Sequence, residues 1–302
     1  MTDVYQTITD RIVAQIDAGA GACEMPWHTR GTRHEQALPR NISGRAYRGG
    51  NVLMLWAAAE AFGYPHPVWA TYKQWSERGC QVRKGEKSTL VVFWKQMRGR
   101  PAPGADAADE DAAGKTYLLA RGYFVFNAAQ VDGFEPAMVG GGAQTPADLA
   151  EDARIAAAEA FFANLGATLR HGGDRASYQP AGDLIRMPEF GQFKSAIGYY
   201  ATLAHEHVHW TGAKHRLDRQ FGERFGDEAY AFEELVAELG AAFLCAHLGL
   251  ANEPRPDHAR YIDSWLNALR RDKRAIFTAA SKAQAAADWL IAAAAAPAAQ
   301  AA

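Results

Sequence analysis

The chain has few of the residues that would place it outside a cell. Its 302 residues include three cysteines, Cys23, Cys80 and Cys245, an odd number at wide spacing with no C-x-x-C pair. That argues against a disulfide framework and fits a reducing compartment. No positively charged segment followed by an apolar core opens the sequence, so no secretory signal is expected and the expected location is cytoplasmic. No apolar run reaches the roughly 20 residues a membrane helix needs, and the Ala292–Ala296 tract is far too short, so a membrane partner is not expected. Neither sign of charge dominates overall, with 32 Lys and Arg against 34 Asp and Glu.

One absence is local. Residues 28–100 contain no aspartate and four glutamates, against 13 lysines and arginines, which leaves 19 basic and 30 acidic residues elsewhere. Charge separated in this way points to a polyanion as partner of the basic part. The same part of the chain is rich in aromatics, with Trp56, Trp69, Trp75, Trp94, Tyr47, Tyr64 and Tyr72, and Trp27 just before it. Basic side chains track a phosphate backbone and exposed rings stack on unpaired bases, so the combination favours single-stranded nucleic acid. Trp56 sits inside the apolar run Asn51–Phe62 and reads as core. The expected DNA contacts are Arg40, Arg45, Tyr47, Arg48, Trp69, Tyr72, Lys73, Trp75, Arg83, Lys84 and Lys87, with Gly44, Gly49, Gly50 and Gly85 allowing close backbone approach.

The most specific motif lies in the other half. His205-Glu206-His207-Val208-His209 contains H-E-x-x-H, which composition alone predicts roughly 0.02 times in this chain, so chance is a poor explanation. On a helix, residues four apart share a face. His205 and His209 can then bind one zinc ion, and Glu206 beside it can act as the base that deprotonates an attacking water. Ser195–Trp210 reads as that helix from its apolar spacing, and Gly212 offers a stop. A second helix is expected from Asp227 to His247, with Phe232, Leu235, Val236, Leu239 and Phe243 as its apolar stripe.

Two residues compete for the third metal position. Glu234 would reach the ion from the second helix, with Glu238 one turn further on accepting a hydrogen bond from a liganding histidine. His215 is the alternative, since His205 to His215 spell H-E-x-x-H-x-x-G-x-x-H. A solvated face is the bland reading of Glu233 and Glu234, and the closeness of Glu234 to the apolar stripe weighs against it. His207 points elsewhere and reads as packed or surface. Tyr199, Tyr200 and His215 are the candidate donors to a developing oxyanion. A magnesium nuclease is disfavoured, because such sites collect carboxylates rather than neutral imidazoles.

Thr89–Trp94 and Tyr117–Phe126 read as paired strands, with a flexible acidic loop at residues 98–115 between them. Gly133 to Pro146 breaks all periodicity and marks a boundary. A helix at Ala147–Leu165 follows, then short strands around Thr168, Ser177-Tyr178 and Leu184–Arg186. The expected architecture is α+β in two domains. A mixed α/β domain that binds single-stranded DNA covers residues 1–135. A mostly helical metallopeptidase domain with a small sheet covers 146–291, and an Ala-rich tail covers 292–302.

Segments spread along the chain carry a family resemblance. They include Gly44-Arg45-Ala46-Tyr47-Arg48-Gly49-Gly50-Asn51, Trp69-Ala70-Thr71-Tyr72-Lys73-Gln74 and Val82-Arg83-Lys84-Gly85-Glu86-Lys87. They continue with Val125–Gln130, Asp183–Pro188, Tyr200–Glu206 and Glu233–Glu238. Together these resemble the plasmid-borne antirestriction proteins of the ArdC type. The resemblance implies an N-terminal single-stranded-DNA-binding domain, a C-terminal zincin-like domain, and protection of incoming plasmid DNA from host restriction during conjugation. It implies zinc held by His205, His209 and Glu234, since the family pattern has small or polar residues at the position of His215. The protein substrate is not implied. The N-terminal part also resembles the leading part of certain plasmid DNA primases, without a primase catalytic segment here.

Overall fold

The computed structural model describes residues 4–19, 27, 37–98, 116–140, 149–219, 228–252 and 262–296. Cys23, the acidic loop beyond residue 98, Asp227 and residues 297–302 of the tail lie outside them.

The basic half forms a small sheet flanked by helices. Helix α1 (Val4–Gly19) precedes β1 (Arg40–Asn41), α2 (Gly50–Phe62), β2 (Val68–Ala70) and α3 (Tyr72–Glu77), followed by β3 (Gln81–Val82), β4 (Thr89–Arg98), β5 (Thr116–Asn127) and β6 (Val131–Asp132). The main sheet runs β1-β2-β5-β4, and β3 pairs with β6 apart from it. The expected strand pair is present and longer than its apolar run, with Thr89 opposite Val125 and Arg98 opposite Thr116. Strand β4 is an edge. Asn51 covers part of it, its side chain accepting from Val92 N and donating to Val92 O, both at 2.8 Å.

The second half follows as α4 (Glu151–Asn164), β7 (Thr168–His171), β8 (Ser177–Gln179), β9 (Leu184–Met187), α5 (Ala196–Thr211), α6 (Glu228–Leu248), α7 (Ile262–Arg271) and α8 (Ala275–Ala295). The three strands form one sheet in the order β7-β9-β8, with β7 parallel and β8 antiparallel to β9. The architecture is α+β, as the composition and periodicity suggest.

Helix α5 starts where the sequence caps it, since Ser195 Oγ accepts from Gly198 N at 2.9 Å. Gly212 ends it in a right-handed conformation, φ −75°, rather than the left-handed one usual for a glycine stop. Helix α6 ends at Gly249, φ 71°, whose carbonyl accepts from the buried Arg154 of α4 at 2.5 Å. The two helices meet closely because Gly240 has no side chain. A Cβ there would lie 2.8 Å from Val208 Cγ2 of α5, so any larger residue would push apart the helices that carry the motif.

Helices α1, α7 and α8 are not evident in the sequence. The Ala-rich run expected to fray from Ala292 continues α8 to Ala295, a correction in which Ala293 and Ala294 pack partly buried against the core. Ala279, Ala280, Ala283, Ala286 and Ala287 are buried, and their small side chains let α8 lie close against its neighbours. Helix α1 belongs to the N-terminal part in sequence but packs on the C-terminal helices. Asp17 accepts from Arg270 at 2.7 Å and Thr9 Oγ1 donates to Lys273 O at 2.8 Å. Trp27 packs on Trp265, and Trp56 on Phe243, so one apolar core joins both parts of the chain. Gly50 serves this junction too. A Cβ on it would meet the Phe277 ring at 3.0 Å, which explains the glycine without a ligand.

His207 is part of the core, beside Phe162 and Trp210. Its Nδ1 lies 2.8 Å from Leu203 O, while its buried Nε2 has no hydrogen-bond partner. A proton on Nε2 would bury an unpaired charge, so burial pushes the imidazole down to about 4, partly opposed by the Leu203 carbonyl. The sign follows. The unfolded chain takes up this proton near pH 6.5 and the folded one only near 4, so stability falls as pH drops through that window. Between pH 7 and pH 5 the contribution is about 2 kcal/mol. Urea unfolding at the two pH values is expected to show that much less pH dependence in His207→Leu than in the parent.

Candidate metal centre and nucleic-acid face

Helices α5 and α6 bring one acidic and imidazole-rich cluster together in the interior. His205, Glu206, Glu233, Glu234 and Glu238 are all buried, at 2 to 6 % exposure, where unpaired charge is not tolerated. One donor atom each of His205, His209 and Glu234 lies within 4.8 Å of the other two. The two Nε2 atoms are 3.0 Å apart, and the Glu234 carboxylate is 3.5 Å from each of them. Each ring's other nitrogen faces a different carboxylate. His205 Nδ1 is 2.9 Å from Glu238 Oε1, and His209 Nδ1 is 3.4 Å from Glu233 Oε1. Carboxylates at both Nδ1 atoms favour Nδ1–H tautomers, which leave the Nε2 lone pairs turned towards each other. Two imidazole nitrogens and one carboxylate, converging in a buried site, fit a divalent ion of the zinc type.

The electrostatics agree. Burial would lower the His209 imidazole, but the Glu234 charge, hydrogen bonds to Glu233 and Glu234, and the Glu206 charge push it up to about 10. Burial acts to raise Glu234, and the charges and hydrogen bonds of His209 and His205 overcome this and hold it well below the carboxylate range. Without an ion, the cluster therefore holds a proton where a cation would sit.

The sequence did not single out Glu233 or Arg219. Arg219 is buried, and its guanidinium donates to both Glu233 oxygens at 2.8 and 3.1 Å. It also donates to Thr211 Oγ1 at 2.8 Å and Val208 O at 2.5 Å, on the last turn of α5. The available signals were the adjacent acids at 233 and 234 and an arginine soon after the motif, both equally typical of a solvated surface.

His215 is not brought into the cluster. Its side chain is 65 % exposed, and its Nε2 lies 2.6 Å from Arg216 Nη1 and 3.5 Å from Asp183 Oδ2. Arg216 pairs with Asp183 on the turn into β9, donates to Trp210 O at 2.6 Å and lies over the Trp210 ring, fastening the end of α5 to the sheet. Hydrogen bonding from Arg216 holds the Asp183 carboxyl below its usual range. Tyr199 and Tyr200 are buried. The Tyr199 hydroxyl meets His171 Nε2 at 2.8 Å, and the Tyr200 ring stacks on Phe162.

The N-terminal candidates divide by burial. Tyr47, Trp69 and Trp75 are buried, at 8, 1 and 0 % exposure, which corrects the expectation that they stack on bases. They fill the space between strand and helix that the alternation with basic residues suggested was surface. Trp75 Nε1 donates to Phe126 O at 3.0 Å, Tyr47 packs on Phe93, and burial pushes the Tyr47 hydroxyl up to about 12. Arg45, Arg48, Tyr72, Lys73, Arg83, Lys84 and Lys87 are exposed, and Arg40 is half-buried. Acids offset some of these charges: Arg48 pairs with Asp288, Lys73 lies 3.7 Å from Glu77, and Arg83 is 2.9 Å from Glu86. Among the exposed rings that sequence reasoning missed, two lie on the paired strands β4 and β5. Phe93 and Phe124 are 48 and 61 % exposed, and Arg121 lies over the Tyr123 ring at 5.4 Å.

Residues 2–126 match the model of the N-terminal domain of the anti-restriction factor ArdC, and residues 156–282 match a zincin-like metallopeptidase. An uncharacterized protein, y4eC, of Sinorhizobium fredii is 53% identical, with 96% of this chain and 92% of that protein covered. A DNA primase TraC of Escherichia coli is 37% identical over 95% of this chain, which spans only 27% of that primase. The crystal structure of the metal-free antirestriction protein ArdC from the R388 plasmid superposes with a TM-score of 0.77 at 45% identity, covering 97% of this chain and 98% of that one. Its Mn(II)-bound structure gives 0.75 at 44% identity, covering 97% and 99%. With both parts matched in order and a solved relative covered nearly end to end, this chain belongs to the ArdC family of antirestriction proteins, with a zincin-like metallopeptidase domain.

Proposed function

We propose that this protein binds single-stranded DNA through its N-terminal part and uses a zinc-dependent peptidase site to protect incoming plasmid DNA from restriction during conjugation. The observation that carries the reading is the convergence of His205, His209 and Glu234 on two buried helices, with Glu206 next to His205. The names of the relatives, antirestriction protein and DNA primase, support the setting. A cytoplasmic location follows from that setting, and among the described residues no helix is long and apolar enough to cross a membrane.

In this reading His205, His209 and Glu234 hold zinc, and Glu238 fixes the tautomer of His205. The ion would supply Lewis acidity to a scissile carbonyl and acidify a water molecule. Glu206 would accept the proton of the attacking water and pass it to the leaving amine. The buried walls exclude bulk solvent, which strengthens each of these electrostatic contacts. His215 has no part in this site, since its side chain is spent on Arg216 and Asp183.

The DNA face in this reading comprises exposed Arg45, Tyr72, Lys84 and Lys87, joined by Phe93 and Arg121, which are directly opposed on strands β4 and β5. The division at residues 1–135 and 146–291 is part of the same proposal. Binding of a labelled oligothymidylate is expected to weaken steeply with salt, and Lys84→Ala/Lys87→Ala to weaken it further and flatten that dependence by about two in log–log slope at most. Binding insensitive to salt, or unchanged in the double variant, would contradict the assignment of this face.

A further inference from the structure

The cluster holds more negative charge than one ion can balance. Glu206, Glu233, Glu234 and Glu238 lie buried on two adjacent helices. A dication ligated by neutral imidazoles would leave this set short of positive charge, and desolvated carboxylates repel one another strongly. The buried guanidinium of Arg219 meets this set at Glu233.

We propose that Arg219 and Glu233 form a positioning pair that holds His209 in the tautomer and orientation for metal ligation and supplies the counter-charge that keeps Glu233 an acceptor. The proposal rests on the reading of His205, His209 and Glu234 as a metal site. Three observations carry it. Glu233 Oε1 is shared, 3.4 Å from His209 Nδ1 and 2.8 Å from Arg219 Nη2, so one oxygen links the ring to the guanidinium. Arg219 grips Glu233 through two of its nitrogens, which restricts rotation of that carboxylate. The remaining nitrogen donates to Thr211, and Nη2 also donates to Val208 O, so the guanidinium is fixed to the helix that bears His209 itself. The arrangement parallels Glu238 at His205, where Glu238 Oε1 lies 2.9 Å from His205 Nδ1.

Glu233 therefore accepts from His209 Nδ1–H and does not compete with Glu234 for the ion. Arg219 is a positioning residue and touches neither metal nor substrate. Its contacts with the end of α5 also stabilise that helix, so the test must separate orientation of the ring from stability of the fold.

The experiment measures zinc affinity by chelator competition on the full chain, with Glu233→Gln, Arg219→Met and Arg219→Lys beside the parent. Helix content by circular dichroism and the ring-nitrogen NMR signals of His209 are recorded on the same samples. Glu233→Gln preserves shape and is expected to lower zinc affinity by roughly 10–100-fold at unchanged helix content, as outer partners of ligating histidines do. Arg219→Met is expected to lower it similarly, with Arg219→Lys recovering part of the loss. On zinc-loaded samples the His209 signals are expected to shift from the single Nδ1–H form towards a mixture of Nδ1–H and Nε2–H forms in Glu233→Gln. Unchanged affinity and unchanged tautomer in Glu233→Gln would overturn the proposal. So would a lower melting temperature in Arg219→Met with the His209 signals unaltered, which marks a purely structural arginine. A parent protein that binds no zinc would instead remove the metal-site reading on which the proposal rests.

Discussion

Glu206→Gln is expected to abolish hydrolysis of a fluorescein-labelled casein while the protein keeps its zinc. Glu206 follows His205 directly on α5 and lies near enough to His209 for its charge to raise that imidazole. The amide keeps the shape and a hydrogen-bonding oxygen but cannot take a proton from water. Loss of a positioned general base lowers the rate by about 10²–10⁴-fold. Zinc content, measured on the same sample, is expected to stay at one per chain, because Glu206 is not one of the three converging donors. Cleavage at the parental rate would remove Glu206 from the role of base. Loss of zinc together with activity would show it to be a ligand.

The second large effect is on the metal itself. Glu234→Ala is expected to lower zinc affinity by more than the roughly 10–100-fold typical of an outer partner, because it removes one of the three converging donors proposed as ligands. His215→Ala is expected to leave affinity unchanged, since that side chain is exposed and paired with Arg216. Chelator competition on the two variants decides between the ligand sets that the sequence left open. An unchanged Glu234→Ala beside a weakened His215→Ala would reverse the assignment. The parental site should also take up zinc with release of about one proton near neutral pH, because the ion displaces the proton held by His209. His209 titrates at about 10, so apparent zinc affinity rises with pH up to that range and falls below it.

The metal helices were legible because every local signal agrees. Ser195 caps α5, the apolar spacing runs unbroken, and the observed bounds of α5 and α6 differ from those expected by about one residue. The β4–β5 pair was legible as well, since long runs of β-branched and aromatic residues have few other uses. Of the outer partners of the candidate site, Glu238 was legible one turn beyond Glu234, whereas Glu233 and Arg219 were not. Glu233 and Arg219 are fourteen residues apart in sequence, and nothing in a charged residue's identity tells whether a partner awaits it inside the fold. The aromatic residues of the basic part misled for a related reason. Trp69 and Trp75 have the composition of a stacking surface, but a small sheet with short strands needs large rings to fill its core. The Ala-rich α8 failed in the opposite sense, its plain composition being what close helix packing requires.

The central claim is that this peptidase site does the protecting. The measurement that reaches it most directly is transfer of an unmodified plasmid into a restricting host that carries either the parent protein or Glu206→Gln, with oligothymidylate binding checked on both. The account predicts that Glu206→Gln binds DNA as the parent does and loses protection. Protection that survives unchanged in Glu206→Gln would contradict it and leave a DNA-binding protector whose metal site is structural.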